Sequence, residues 1–200
     1  LIIIEVRLSI TNFYRRKGRV MQKINVVGTS GSGKSTLSRR FAAQLRYPYI
    51  EIDTLFWGKN WHETPDATFY ARLERALSQT AWVLDGNYNR TNEIKWRSVD
   101  TIIWVDYSFP RTLYQAVFRA IYRAWNKVEL WPGTGNRETF AKLFTSDSII
   151  FWTLKTYRKN RRDLGIMMTN RDYSHIQFVR LRSPKACDDF INALPNSDVQ

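Results

Sequence analysis

Cysteine is nearly absent: Cys187 stands alone, so the chain forms no internal disulfide and nothing in it asks for an oxidising compartment. A cytoplasmic location is the expectation. Histidine is almost as scarce, with only His62 and His175, which argues against a zinc-type His/Cys site. Long apolar runs are missing too. Leu1 to Ile4 is broken at once by Glu5 and Arg7, far short of the roughly 18 apolar residues that span a membrane, so no membrane partner is expected. Acidic residues are few: 18 Asp and Glu face 31 Lys and Arg, a formal net charge of +13. That imbalance disfavours a cation-binding role and favours a partner that carries phosphates. No repeat or low-complexity linker divides the chain. Its 200 residues, 44% hydrophobic and 14% aromatic, suffice for one domain with its own core.

The basic residues Arg15, Arg16, Lys17 and Arg19 follow the apolar start, the reverse of a signal peptide. Met21 stands directly before a better-formed segment. Residues 1–20 are therefore expected to be an extension outside the core, 21–194 a single domain and 195–200 a tail. The first twenty residues hold five basic and one acidic side chain, which leaves +9 for the remainder.

The strongest motif follows a short β-branched run at 24–27. Gly28-Thr29-Ser30-Gly31-Ser32-Gly33-Lys34-Ser35 is the full G-x-x-x-x-G-K-[ST] pattern between a strand and a helix, with Thr36 continuing in helical period. Its glycines let successive N–H groups turn inward on a phosphate, and the helix N-terminus adds its positive dipole end. In this pattern Lys34 reaches the β and γ phosphates and the Ser35 hydroxyl holds Mg²⁺. ATP or GTP is thus the expected ligand. Asn126-Lys127-Val128-Glu129 approaches a guanine-reading motif, but it ends on Glu and sits at a helix end, so ATP is preferred.

Strands are expected at 24–27, 48–52, 81–85, 101–105 and 176–181. Helices are expected at 34–45, 66–79, 110–126, near 137–144, at 147–163 and at 184–194. Strands alternating with helices imply an α/β fold with helices on both faces of a parallel sheet. Two aspartates, Asp85 and Asp106, end apolar strands and qualify as the second acidic element of a nucleotide site. Neither is followed by Glu, which weakens an ATPase that activates water with one.

Several segments carry a family resemblance over most of the chain beyond residue 20. They are Asp53-Thr54-Leu55-Phe56-Trp57 with Trp61, Trp82-Val83-Leu84-Asp85-Gly86-Asn87-Tyr88, Ile103-Trp104-Val105-Asp106-Tyr107, Glu129-Leu130-Trp131, Gly135-Asn136-Arg137-Glu138, Asp147-Ser148-Ile149-Ile150 and Arg180-Leu181-Arg182-Ser183-Pro184. With the phosphate loop, they resemble the adenylate-kinase-related P-loop family known as topology modulation proteins. The resemblance implies a three-layer P-loop NTPase fold like that of nucleoside monophosphate kinases, with a central parallel sheet of about five strands and a helical lid at about 127–162. Asp85-Gly86-Asn87-Tyr88-Asn89-Arg90 resembles the turn in adenylate kinases whose Asp holds Mg²⁺ through water, so Asp85 is preferred over Asp106. Arg182-Ser183-Pro184 begins the loop that contacts adenine in related kinases, although Ser183 and Pro184 also suit an ordinary helix start.

Phosphoryl transfer needs cations around the phosphates. Arg111, Gln115, Arg119, Arg123 and Lys127 form one stripe of the helix at 110–126, separate from a core face of Leu113, Ala116, Val117, Ala120, Ile121 and Ala124. Lys155, Arg158, Lys159 and Arg162 share a second helix face, and a turn-rich segment at 131–137 suits a hinged flap. Arg119, Arg123, Arg137, Arg158 and Arg162 are candidate lid arginines; a solvated basic face is the plain alternative. Asp53 stands near where shikimate and gluconate kinases place an acid against an acceptor hydroxyl. Adenylate kinases carry Thr-Gly and Arg in this region, which argues against AMP. Asp53 either orients that hydroxyl or caps a turn. Phe56, Trp57, Trp61 and Tyr88 either wall an acceptor pocket or pack in the core. The expected activity is γ-phosphoryl transfer from ATP, with Mg²⁺, to a small-molecule or nucleotide acceptor. An ATP-dependent nucleic-acid-binding regulator is the alternative.

Overall fold

Ile24, Val26 and Val27 are all buried, so the first long strand, β2 (Lys23–Gly28), is covered on both faces as the apolar run requires. The computed structural model describes residues 4–5, 21–143, 145 and 148–194. From β2 the chain runs through α1 (Lys34–Leu45), β3 (Tyr49–Glu51), α2 (Ile52–Phe56), α3 (Asp66–Leu77) and β4 (Trp82–Asp85). It continues through α4 (Asn92–Lys95), β5 (Thr101–Val105), α5 (Phe109–Trp125), α6 (Phe140–Leu143) and α7 (Ile149–Thr169). It closes with β6 (Gln177–Leu181) and α8 (Pro184–Asn192).

The sheet is parallel throughout, in the order β1-β6-β5-β2-β4-β3, where β1 (Ile4–Glu5) pairs with the outer edge of β6. Five strands thus form the central sheet, and two residues of the segment read as an extension add a sixth at its edge. Because β2 lies between β4 and β5, the chain departs to opposite sides of it. This is a switch point, where parallel sheets open a crevice at their carboxyl ends. One face of the sheet packs α3 and α7 through Phe69, Leu73, Leu77, Leu164 and Met168. The other packs α1 and α8 through Leu37, Phe41, Phe190 and Ile191. Among the described residues, no helix is long and apolar enough to cross a membrane.

Helix α5 departs from its expected face. Its buried residues are Thr112, Ala116, Ala120 and Ala124, whereas Ile121 is 46% exposed and Leu113 and Val117 are half-buried. The cause is close approach. A Cβ built on Gly31 would lie 2.7 Å from the Ala116 Cβ, so only a small side chain fits where the helix passes Gly31. The two helices expected at 137–144 and 147–163 are shifted likewise. The first is the four-residue α6; α7 starts after Ser148, whose hydroxyl accepts from the Phe151 amide at 3.2 Å, and runs to Thr169 because Leu164 and Met168 still reach the sheet. The start of α8 is as read: Ser183 accepts from the Ala186 amide at 3.1 Å, with Pro184 in the first turn.

The centre of the sheet holds an unforeseen polar residue. Asn25 is fully buried and fully engaged: its amide donates to Leu84 and Gly86 carbonyls at 3.1 Å each, and its oxygen accepts from the Trp96 indole at 2.9 Å. Beside it Lys95 is also fully buried, over the Trp96 ring, with the Tyr88 carbonyl as its acceptor at 3.3 Å. Burial brings its pKa down to about 7. An unfolded lysine holds its proton to about pH 10.4. Between these values the unfolded chain binds more protons, and stability rises with pH. Lys95→Met should remove that slope: in paired urea titrations the parent should gain about 2 kcal/mol more than the variant between pH 7 and 9. Equal gains would show that the amine does not titrate in this window.

Candidate active site

The phosphate loop occupies the switch point. Gly31 and Gly33 take φ of +84° and +91°, values open to glycine without strain; the Ser32 amide donates to the Thr29 carbonyl at 3.0 Å. Lys34 opens α1, and no side chain caps that helix N-terminus, so its first amides stay available to an anion. Asn87, two residues beyond Asp85, holds the loop from below. Its oxygen accepts from the Gly28 amide at 2.9 Å and its amide donates to the Gly28 carbonyl at 3.0 Å. Thr153 of α7 donates to the Ser30 carbonyl at 3.3 Å.

Charged groups converge above this loop from distant parts of the chain. Arg119 donates through Nη2 to the Ser30 hydroxyl at 3.2 Å. Its burial, and then the neighbouring Arg123, push its pKa down, while Glu138, Asp85 and Asp53 oppose the shift. Arg123 lies 3.5 Å from Glu138, and burial raises the Glu138 pKa. Asp53, in α2, accepts from the Tyr88 hydroxyl at 2.7 Å. Burial raises the Asp53 pKa, against the pull of Lys34, of the Tyr88 bond and of Arg119. Asp85 ends β4 beside Val26 and Glu51 in register, and its Oδ2 accepts from the Tyr49 hydroxyl at 2.9 Å. Burial, then Asp85 and Glu51, push the Tyr49 pKa up.

Several buried polar atoms here have no partner among the described residues: Ser32 Oγ, Asp85 Oδ1, Gln115 Oε1, Arg119 Nε and Glu138 Oε2. Buried polar atoms normally find hydrogen bonds, so these atoms have capacity left for water or a polar ligand. The unpartnered Asp85 Oδ1 and the Ser35 hydroxyl are hard oxygen donors of the kind Mg²⁺ takes, with waters and phosphates filling its shell.

The other candidates separate into distinct places. Thr36 lines a cavity of about 210 Å³ with Gly33, Arg40, Tyr107, Arg111 and Pro184, beside the start of α1. Arg182 is exposed on the loop after β6 and outside that lining. Arg137 is exposed, bridged through its backbone to Glu129. Asp106 is engaged elsewhere: it accepts from Arg180 Nε at 2.8 Å and pairs with Arg161 at 3.2 Å. Arg158 and Arg162 line a separate groove with those two arginines. Asp147 lies outside the described residues.

The flap between Glu129 and Arg137 rests on the segment after α2. Asn136, 1% exposed, accepts from the Trp61 amide and donates to the Gly58 carbonyl, both at 2.8 Å. Trp131 stacks on Trp57 with centroids 6.0 Å apart and meets Trp61 edge-on at 5.6 Å; its indole donates to Glu51 at 3.3 Å. Phe56 and Tyr88 pack against one another and against Phe69, so these two rings serve the core. Sequence reasoning missed Glu51 and Thr153 as parts of the site, and placed Asn87, Asn136 and Glu138 only within family motifs. The Asp-Gly-Asn run was the one signal available for Asn87; the others are joined only by folding.

No family model matches the chain, and no curated protein matches it. Among solved structures, the shikimate kinase from Acinetobacter baumannii, in complex with shikimate, aligns over 91% of this chain and 93% of its own at 15% identity, with a TM-score of 0.50. The chain has a P-loop kinase-like fold, of the nucleoside monophosphate kinase type. A gluconokinase from Sinorhizobium meliloti 1021 covers 88% of this chain and 90% of its own at 16% identity and a TM-score of 0.48. A shikimate kinase from Bacteroides thetaiotaomicron covers 86% and 96% at 14% identity and a TM-score of 0.47.

Proposed function

We propose that this chain is an ATP-dependent phosphotransferase whose acceptor is a small hydroxylated molecule, and, on its motifs, that it belongs with the topology modulation proteins. We read residues 21–194 as one kinase-like domain with its lid at about 127–162. The observation that carries the reading is the meeting of Lys34, Arg119 and Asp85 around Asp53, whose carboxyl feels the charge of each, with Arg119 reaching the loop at Ser30. Gly28, Ser30, Gly31, Ser32, Gly33, Lys34, Ser35 and Thr36 hold the triphosphate, with the base toward Arg40 and Tyr107. Mg²⁺, held through Ser35 and Asp85, offsets phosphate charge when bound. Lys34 and Arg119 draw negative charge from the transferring phosphoryl group. Asp53 accepts the acceptor hydroxyl's proton as that oxygen bonds to phosphorus and the bond to the ADP oxygen breaks. Arg123, held near Glu138, backs Arg119; Arg137 joins them only if the flap turns it inward. The kinase solved with shikimate supports an acceptor of this hydroxylated kind.

The test is an acceptor screen with labelled ATP over hydroxylated metabolites, nucleosides and nucleoside monophosphates. Lys34→Ala is expected to abolish transfer to any acceptor found. Asp53→Asn should lower kcat about 10²- to 10³-fold while ATP affinity changes little. The parent's kcat/KM should fall on the acid side at a pH above the usual carboxylate range, because burial raises the Asp53 pKa, and Asn should erase that limb. A variant as active as the parent would remove Asp53 from the mechanism.

A further inference from the structure

A second, separate groove of about 600 Å³ lies between α7 and the neighbouring strands β5 and β6, lined by Arg158, Arg161, Arg162, Gly165, Ile166 and Arg180 among others. None of the phosphate-loop residues lines it. Its volume falls within the range of small-molecule pockets. Three of its four guanidinium groups pair with carboxylates: Arg161 and Arg180 with Asp106, 3% exposed, and Arg162 with the neighbouring Asp163 at 3.4 Å.

The arrangement is fixed from within. Asp106 uses one oxygen for Arg161 Nε and the other for Arg180, and Arg180 also lies over the Trp104 ring at 4.3 Å. These contacts leave Arg180 Nη1 and both Nη atoms of Arg161 without partners among the described residues. Two arginines are thereby held in place with donors to spare, which lowers the ordering cost of binding an anion. Arg158 and Arg162 are exposed at the rim, with Lys155 and Lys159 on the same helix. Gly165 lies inside α7, where glycine costs about 1 kcal/mol against alanine. A Cβ built there meets nothing within 4 Å, so no packing need explains the glycine, whereas the open groove does.

We propose that this groove is a binding site for a small molecule bearing two or more phosphoryl groups, distinct from the phosphate loop. The spare donors of Arg161 and Arg180 take one phosphoryl group in forked hydrogen bonds, Arg158 and Arg162 take the next, and Ile166 bounds the body of the ligand.

The experiment uses tripolyphosphate as the probe, titrated calorimetrically at low salt into the full chain carrying Lys34→Ala, which weakens binding at the phosphate loop. Saturable, salt-sensitive binding is expected to remain. Adding Arg158→Ala with Arg162→Ala should weaken it at least tenfold. Adding Gly165→Leu instead, which keeps every charge and favours the helix, should weaken it similarly by filling the groove. Both changes lie on exposed or open positions, and circular dichroism confirms the fold. Absence of saturable binding in the Lys34→Ala chain, or binding that either addition leaves unchanged, would overturn the proposal.

Discussion

Arg119→Ala is expected to lower kcat by about 10³-fold or more, the scale on which an arginine supplied to a transferring phosphoryl group acts, while ATP affinity falls far less. The reason lies in its position. The guanidinium reaches the loop at Ser30, its Nε is buried without a partner, and Arg123 stands close enough to lower its pKa. A cation held beside another cation with an open donor is poised for negative charge that arrives only with the reaction. Arg119→Lys should recover part of the loss, since the charge remains but the fork does not. The comparison is kcat and KM from steady-state kinetics against ATP affinity from calorimetry; a variant within threefold of the parent in kcat would exclude Arg119 from the chemistry.

Gly31→Val should cost about 2–4 kcal/mol of stability through overpacking and left-handed strain, and it should abolish nucleotide binding. At φ +84° the new Cβ would lie 2.7 Å from the Ala116 Cβ and 2.8 Å from the Thr112 carbonyl oxygen. The loop and α5 cannot both keep their places. Gly133 separates the two causes: its φ is +79° but no atom lies within 4 Å of a Cβ built there. Gly133→Ala should therefore cost only the left-handed penalty of about 1–2 kcal/mol. Urea titration measures both; equal losses would mean that contact with α5 contributes nothing.

The phosphate loop and the alternation of strands and helices were legible because each rests on neighbours in sequence. Glycines followed by Lys34, and β-branched runs ending in Asp85 and Asp106, state their geometry locally. Helix α5 was misread because periodicity reports which residues share a face, not how near the neighbouring backbone comes. Ala116 meets the loop at Gly31 because it is small, Ala120 packs with Ala124 and Leu143, and the larger Ile121 is left outside. The preference for Asp85 rested on the turn that follows it; that Arg161 and Arg180, more than fifty residues from Asp106 in the chain, engage Asp106 is visible only after folding. For a similar reason helical spacing grouped Arg158 with Arg162 on the basic face of α7 but could not place Arg180 beside them in one groove.

The two hydrogen bonds between Asn87 and Gly28 join the turn behind Asp85 to the first residue of the phosphate loop. Those two pieces lie on neighbouring strands, β4 and β2, and the bonds stitch them at their open ends. The spacing between the carboxylate and the loop is thereby set by the Asn87 side chain, which holds both backbone groups of Gly28. In the kinase proposed above, a flap that lifted away from Trp57 and Trp61 would leave that stitch untouched. One wall of the proposed site could then move while the floor beneath it kept its dimensions.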